Sequence, residues 1–299
     1  CIFLSLFFYP ITFYKKYYAS LFFVPVIFTL FEWFRGVIFT GFPWLSLGYS
    51  QIPNGPLAGY VSIVGVYGIT FLILLSITIT LRIFKKKYSR ESIWLGLFIV
   101  LVWGSGDLLK NVSWVNKINS PLKVSLIQGN ISQDKKWDSK FLNESLIKYM
   151  RLIKSSNASL IVLPETSIPL MLHQIPNNYL NEIRSHAIKN DGDVILGVIE
   201  KEKEEFYNSA ISIGTAPMQS YRKFHLVPFG EFIPFNKIIG YIYKNWLDIP
   251  FSDLSRGLEI QPPIVLSGQR LGLNICYEDV FGYEINKSLP EATLLVNIS

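Results

Sequence analysis

Two hydrophobic patterns divide this chain. As far as about residue 106 the apolar residues run in long stretches, and beyond it they come in short runs separated by segments of helical period. The long stretches cover residues 19–39, 56–81 and 92–109, and a helix needs about 20 apolar residues to cross a bilayer. A further apolar run, Cys1-Ile2-Phe3-Leu4, opens the chain without a Met and reads as the tail of an earlier segment. Residues 1–110 are therefore expected to form a transmembrane helical region and residues 111–299 a domain outside the membrane.

Short apolar runs at 124–127, 160–163, 194–198, 210–213, 271–275 and 293–296 predict strands buried on both faces. Between the first two, Leu142, Leu146, Tyr149, Met150 and Ile153 fall on one helical face, with Asp138 as the expected N-cap. Leu180, Ile183 and Ala187 repeat the pattern. Strands alternating with helices predict an α/β layered domain, in which side chains at the carboxyl ends of strands meet in one crevice. The charge run Lys201-Glu202-Lys203-Glu204-Glu205 predicts a solvated turn.

Charge sets the expected orientation. Lys15 and Lys16 precede the first long stretch, and Arg82, Lys85, Lys86, Lys87 and Arg90 lie between the second and third, whereas residues 40–55 hold no Lys or Arg. The positive-inside rule places the two basic segments in the cytoplasm, so residues 40–55 and the polar domain fall on the outer side. Phe42, Trp44 and Tyr49 then suit a headgroup-level aromatic belt on a non-helical loop, anchoring the chain or meeting lipid. Glu32 and Arg35, three apart in an apolar helix, are expected to pair with each other, with a contact to a substrate headgroup as the alternative.

Composition narrows the field. Half the residues are hydrophobic, 17% are charged, and the mean hydropathy is +0.31, which places part of the chain in lipid. A net charge of +6 fits cytoplasmic loops and anionic lipid surfaces and does not point to nucleic acid. Cys1 and Cys276 lie far apart, so no disulfide framework is expected. No basic leader or small-residue cleavage site marks a signal peptide. Nucleophile-elbow, zincin, C-x-x-C, P-loop and dinucleotide fingerprints are missing, so no metal, nucleotide or other cofactor is expected.

Candidate chemistry gathers on three residues. Cys276 follows the run 271–275, Glu165 follows Leu163-Pro164, and Lys223 opens Lys223-Phe224-His225-Leu226-Val227-Pro228-Phe229-Gly230-Glu231. A thiol is a strong nucleophile only as thiolate, which a neighbouring carboxylate can generate as general base. An ammonium and a backbone N–H can stabilise the oxyanion of a carbonyl under attack. Glu165, Lys223 and the N–H of Tyr277 are the candidates for those tasks. Taken singly, a cysteine after a strand is more often buried core, and a loop Lys or Glu is usually solvated.

The wording around these residues resembles the nitrilase superfamily, and within it the apolipoprotein N-acyltransferase family. Pro164-Glu165, Lys223 with Pro228-Phe229-Gly230-Glu231, and Ile275-Cys276-Tyr277-Glu278 carry the likeness. So do Glu32-Trp33-Phe34-Arg35-Gly36, Thr40-Gly41-Phe42-Pro43-Trp44, Gly48-Tyr49-Ser50-Gln51, Gln128-Gly129-Asn130, Lys136-Trp137-Asp138 and Ser255-Arg256-Gly257. The resemblance implies a bacterial inner-membrane enzyme whose domain, a four-layer α-β-β-α sandwich, faces the periplasm. It implies that Cys276 takes an acyl chain from a phosphatidylethanolamine-like phospholipid as a thioester and passes it to the α-amine of a diacylglyceryl apolipoprotein. Glu231, Tyr277 and Glu278 resemble supporting residues, and Trp137, with Phe42, Trp44 and Tyr49, substrate contacts; salt bridging and core packing are the competing roles. His225 reads as a packing histidine. The family continues past residue 299 and begins before residue 1, so the chain is expected to be a fragment lacking both ends. A membrane-tethered amidase or nitrile hydrolase would use the same three residues with water as acceptor, and a non-catalytic lipoprotein-binding module would need none of them.

Overall fold

The computed structural model describes residues 21–86, 89–118, 121–234 and 253–299; Cys1, Lys15 and Lys16 lie outside them. The chain divides into two compact units, with the boundary between Lys117 and Ile118.

In the first unit α1 (Phe23–Arg35), α2 (Val61–Lys85) and α3 (Arg90–Leu109) carry the apolar stretches. Two helical segments, Pro56–Lys85 and Arg90–Leu109, are long and apolar enough to cross a membrane. Both expose large apolar side chains, Leu81 and Phe84 on the first and Trp94, Leu101 and Leu108 on the second, as lipid-facing helices do. Between them Trp103 Nε1 donates to Ser76 Oγ at 2.9 Å. Gly59 passes so close to Gly106 that a Cβ there would meet the Gly106 carbonyl oxygen at 2.0 Å, the small-residue contact that membrane helices favour. The first expected span is helical over Phe23–Arg35, ~20 Å at 1.5 Å per residue, and stops where Gly36 lies against the Tyr67 hydroxyl.

The expected Glu32–Arg35 pair does not form. Glu32 is buried, accepting from Leu47 N–H at 2.8 Å and from the Thr70 hydroxyl at 2.7 Å. Arg35 donates to the Trp44 carbonyl at 2.6 Å and to Ser46 Oγ at 3.4 Å. Each satisfies the backbone or side chains of the 42–49 segment, which has few internal hydrogen bonds of its own. Helix spacing brought the two onto one face, but the loop offered both of them partners. That loop is non-helical as far as Ser46, then turns through Leu47–Gln51, and it leaves Phe42, Trp44, Tyr49 and Leu45 (92% exposed) on its surface.

The second unit is built on two sheets. The first runs in the order β1 (Val124–Leu126), β2 (Leu160–Val162), β3 (Asp193–Glu202), β4 (Glu205–Gly214), β5 (Ser220–Arg222); β1, β2 and β3 are parallel and the last two pairings antiparallel. The second holds β6 (Ile264–Leu266), β7 (Gln269–Ile275) and β8 (Leu294–Ile298), with β7 and β8 parallel. Period-two alternation splits β2 between two cores. Leu160 and Val162 face the second sheet, meeting Leu266, Leu271, Leu273, Ile275 and Val296. Ile161 and Leu163 face α4 (Leu142–Ser155) and α5 (Asn177–Lys189), whose Met150, Ile153, Ile183 and Ala187 cover them. The described residues thus form three layers, helices on sheet on sheet.

Three local expectations need correcting. Strand β1 is not buried on both faces, since it lies at the sheet edge with Leu126 77% exposed. Asp138 caps the short turn Ser139–Phe141, accepting from Lys140 N–H at 2.9 Å, rather than α4 itself. Strands β5 and β6 were not foreseen, being three residues each.

One glycine sets the distance between the sheet and the segment after β2. A Cβ on Gly197 of β3 would meet the Pro164 carbonyl oxygen at 2.3 Å, Thr166 N at 2.5 Å and Glu165 Cα at 2.8 Å. Neighbouring Ser167 Oγ bonds the Gly197 carbonyl at 3.3 Å. Gly197→Ala is expected to destabilise the domain by about 1–3 kcal/mol through overpacking, read as a lower denaturant midpoint. A variant as stable as its parent would show that this segment is not held against β3.

Candidate active site

Four chain segments bring the candidate residues together. Glu165 lies just beyond β2, where Thr166 adopts φ 42. Lys223 follows β5 directly, its N–H bonded to the Asn208 carbonyl at 2.8 Å and its own carbonyl to Gly257 N–H at 2.9 Å. Glu231 closes a turn in which its N–H bonds the Val227 carbonyl at 2.9 Å. Cys276 ends β7 in the left-handed region, at φ 53, its carbonyl accepting from Asn297 Nδ2 at 3.2 Å.

Lys223 is the centre of the group. Its ammonium is 1% exposed and lies 3.1 Å from Glu165 Oε1 and 2.9 Å from Glu231 Oε1. Asn208 Nδ2 on β4 donates to the same two oxygens at 2.6 and 2.8 Å. The second oxygen of Glu231 takes the Val227 N–H at 2.8 Å. Burial pulls the Lys223 ammonium towards neutrality, but the negative charges of Glu165 and Glu231 outweigh it and hold its pKa above the ordinary lysine value.

Cys276 is half-buried and free. Burial pushes its thiol up, the Glu165 carboxylate pushes the same way, and Ser299 and Lys223 oppose them. Glu165 lines the same cavity as the sulfur, so it is the carboxylate that can take the thiol proton. A cavity of about 390 Å³ opens over Cys276 and Glu165, lined also by Gln128, Asn130, Lys136, Tyr149 and Ser167. A smaller one, about 140 Å³, touches the other side of Glu165 and is lined by Trp137, Thr166, Asn208, Gly230, Glu231 and Leu254.

The supporting residues separate by task. Glu231 touches Lys223, as the sequence suggests. Glu278 does not; its buried carboxylate accepts Phe224 N–H (2.7 Å), His225 N–H (3.0 Å), Ile275 N–H (2.7 Å) and the Tyr221 hydroxyl (3.0 Å). One acid thereby ties the segment after Lys223 to the residue before Cys276. Burial raises its pKa against those hydrogen bonds. Tyr277 is buried, edge-on to His225 and Phe281, which is a packing position. Trp137 is 39% exposed at the rim of the smaller cavity. His225 stacks on Phe281 and bonds Glu284 Oε1 through Nδ1 at 2.8 Å. Phe42, Trp44 and Tyr49 belong to the first unit, on the loop already described. Among the described residues no three of His, Cys, Asp and Glu stand together as a metal site.

Two residues of the group escaped the sequence reading. Asn208 is a buried amide in the strand Tyr207-Asn208-Ser209-Ala210-Ile211, and an Asn in such a run was the available signal. Lys136, in the Lys136-Trp137-Asp138 segment, donates to the main-chain carbonyl of Glu165 at 3.0 Å.

Comparison with known proteins gives the family. Residues 1–79 match the apolipoprotein N-acyltransferase N-terminal domain, and residues 123–299 match carbon-nitrogen hydrolase. Proteins named apolipoprotein N-acyltransferase from Nitrosomonas europaea and Chromobacterium violaceum are 45% and 38% identical to this chain over 92% of its length in each case. The same name is borne by a relative from Ralstonia nicotianae, 38% identical over 90% of the chain. The chain spans about half the length of these relatives, 55%, 53% and 51% of each. The match over residues 123–299 takes in Glu165, Lys223 and Cys276 with both sheets that carry them, and on it the chain belongs to the carbon-nitrogen hydrolase family.

Proposed function

We propose that this chain carries the acyl-transfer site of an apolipoprotein N-acyltransferase. The acyl donor is a phospholipid of phosphatidylethanolamine type, the acceptor is the α-amine of a diacylglyceryl-cysteine at an apolipoprotein N-terminus, and the domain works on the periplasmic side of the bacterial inner membrane. One observation carries the reading: the one thiol among the described residues shares a cavity with a carboxylate that is ion-paired to a buried ammonium. The names of the relatives and the two apolar helices favour a lipid substrate over a soluble amide. The absence of Lys and Arg from residues 40–55 and their density in 82–90 favour the outward orientation.

The reaction proceeds in two halves. Cys276 Sγ attacks the ester carbonyl carbon as its proton passes to Glu165, and the carbonyl π pair moves onto oxygen. Lys223 and the Tyr277 N–H stabilise that oxyanion. When it collapses the ester C–O bond breaks, and Glu165 returns the proton to the departing alkoxide, giving a lysophospholipid and an S-acyl cysteine. The amine then attacks the thioester, Glu165 accepts its proton, an amide forms, and the sulfur leaves and is reprotonated. Because burial and Glu165 both raise the thiol pKa, the thiol is protonated at neutral pH and attack depends on this transfer.

Three measurements test the reading. Incubation of the whole protein with phospholipid is expected to leave a hydroxylamine-labile acyl adduct on Cys276, seen by mass spectrometry, and Cys276→Ala is expected to form no triacylated lipoprotein. Transfer surviving in that variant rules out the covalent route; a fatty acid released without amide formation favours the hydrolase instead. Lys223→Met leaves two partly buried carboxylates sharing one site without their cation and is expected to cost about 3 kcal/mol, with loss of the adduct; an unchanged denaturation midpoint would contradict the charge assignment. Alkaline phosphatase fused within residues 123–299 is expected to be active and the same fusion within 82–90 inactive, and the reverse pattern refutes the orientation.

A further inference from the structure

The charges around Cys276 do not balance with the residues so far given tasks. Glu165 and Glu231 bring two negative charges against the single positive charge of Lys223, which is enclosed between them. The wall beside the thiol therefore carries one negative charge in excess, a setting in which sulfur gives up its proton reluctantly. Attack needs the opposite: negative charge sits first on sulfur and then on the carbonyl oxygen of the adduct.

A second cation faces the same cavity. Lys136 ends the helical turn Gln133–Lys136 and lines the cavity that holds Cys276. Its bond to the Glu165 carbonyl at 3.0 Å takes one of its three N–H donors. Trp137 flanks it, with the ring centroid 5.7 Å from the ammonium. The site then sums to neutrality: Glu165 and Glu231 against Lys223 and Lys136. Burial lowers the Lys136 pKa, and the charges on Glu165 and on the Cys276 sulfur counter it.

We propose that Lys136 is the second cation of the nucleophile's pocket, stabilising the negative charge that forms on the Cys276 sulfur and passes to the carbonyl oxygen of the acyl donor. It keeps its own proton throughout. The sulfur lone pair makes the S–C bond, the π pair moves to oxygen and returns on collapse, and Glu165 carries the proton. The part concerning the oxyanion rests on the acyl-transfer reading; the part concerning the thiolate does not.

The groups facing Cys276 are Glu165 beyond β2, Lys223 beyond β5, Lys136 before α4 and Tyr149 on α4, with Glu231 behind Lys223. Glu278, in the same turn, has both carboxylate oxygens hydrogen-bonded elsewhere. The test is the pH dependence of Cys276 alkylation by iodoacetamide in the whole protein in detergent, followed by peptide mass spectrometry, since the rate tracks thiolate. Lys136→Gln is expected to move the midpoint up by about one pH unit and to slow acyl-adduct formation at neutral pH about tenfold, while Lys136→Arg keeps the parent's midpoint. A midpoint shared by the parent and Lys136→Gln overturns the proposal, as does an equal shift in both variants, which would make the lysine a prop for the Glu165 carbonyl. A midpoint that moves as expected in a protein that never acquires an acyl adduct would leave the charge assignment standing and sink the acyl-transfer reading.

Discussion

An ammonium withdrawn from water and shared by two carboxylates governs the chemical end of this domain. A lone buried lysine would shed its proton, so the fold has to deliver anions to Lys223. It draws them from distant parts of the chain, Glu165 beyond β2 and Glu231 in the turn after Val227, and Asn208 bridges the same two oxygens from β4. Parallel β2 and β3, the long hairpin and the short β5 can be read as the scaffold that makes this meeting possible. Glu278 shows the other solution to a buried acid. It has no cation and is held by three backbone N–H groups and a phenol, which makes it a fastener between loops where Glu165 is a reactive group.

The first unit meets the same problem with different means. An acid and a guanidinium in an apolar helix have to find partners, and Glu32 and Arg35 find them in one stretch of irregular chain. Irregular backbone at such a place is tolerated when side chains supply the missing hydrogen bonds. The Trp44 carbonyl, the Ser46 hydroxyl and the Leu47 N–H of the loop bond those two residues, and the rings of Phe42, Trp44 and Tyr49 stay exposed.

Much of this was legible because the signals were local. The strand run 160–163 is buried on both faces and carries no polar interruption, 271–275 is broken only by Asn274, and the α4 and α5 faces repeat at helical period. Cys276 and Glu165 stood out as chemistry-bearing residues at strand ends, and Lys223 as one in a loop after the 210–213 run. What stayed hidden was non-local. Spacing placed Glu32 and Arg35 on one face but could not show that a loop 9–15 residues away would claim both. Asn208 looked like one more strand residue until its neighbours across the sheet were known. The separate tasks of Glu231 and Glu278 depend on which oxygen reaches which donor, and no motif encodes that. Strands of three residues, β5 and β6, are too short for any period to register.

Cys276 holds a backbone conformation that glycine adopts freely and a residue with a Cβ resists, at a penalty on the order of 1–2 kcal/mol. The corner is worth keeping only for what it presents, because continuing β7 or coiling into a right-handed turn would aim the sulfur elsewhere. Robustness and reactivity therefore pull in opposite directions at a single peptide unit. Substitutions that relax this bend would yield a sturdier protein with a misdirected nucleophile, so thermal screening of variants would enrich for sluggish ones.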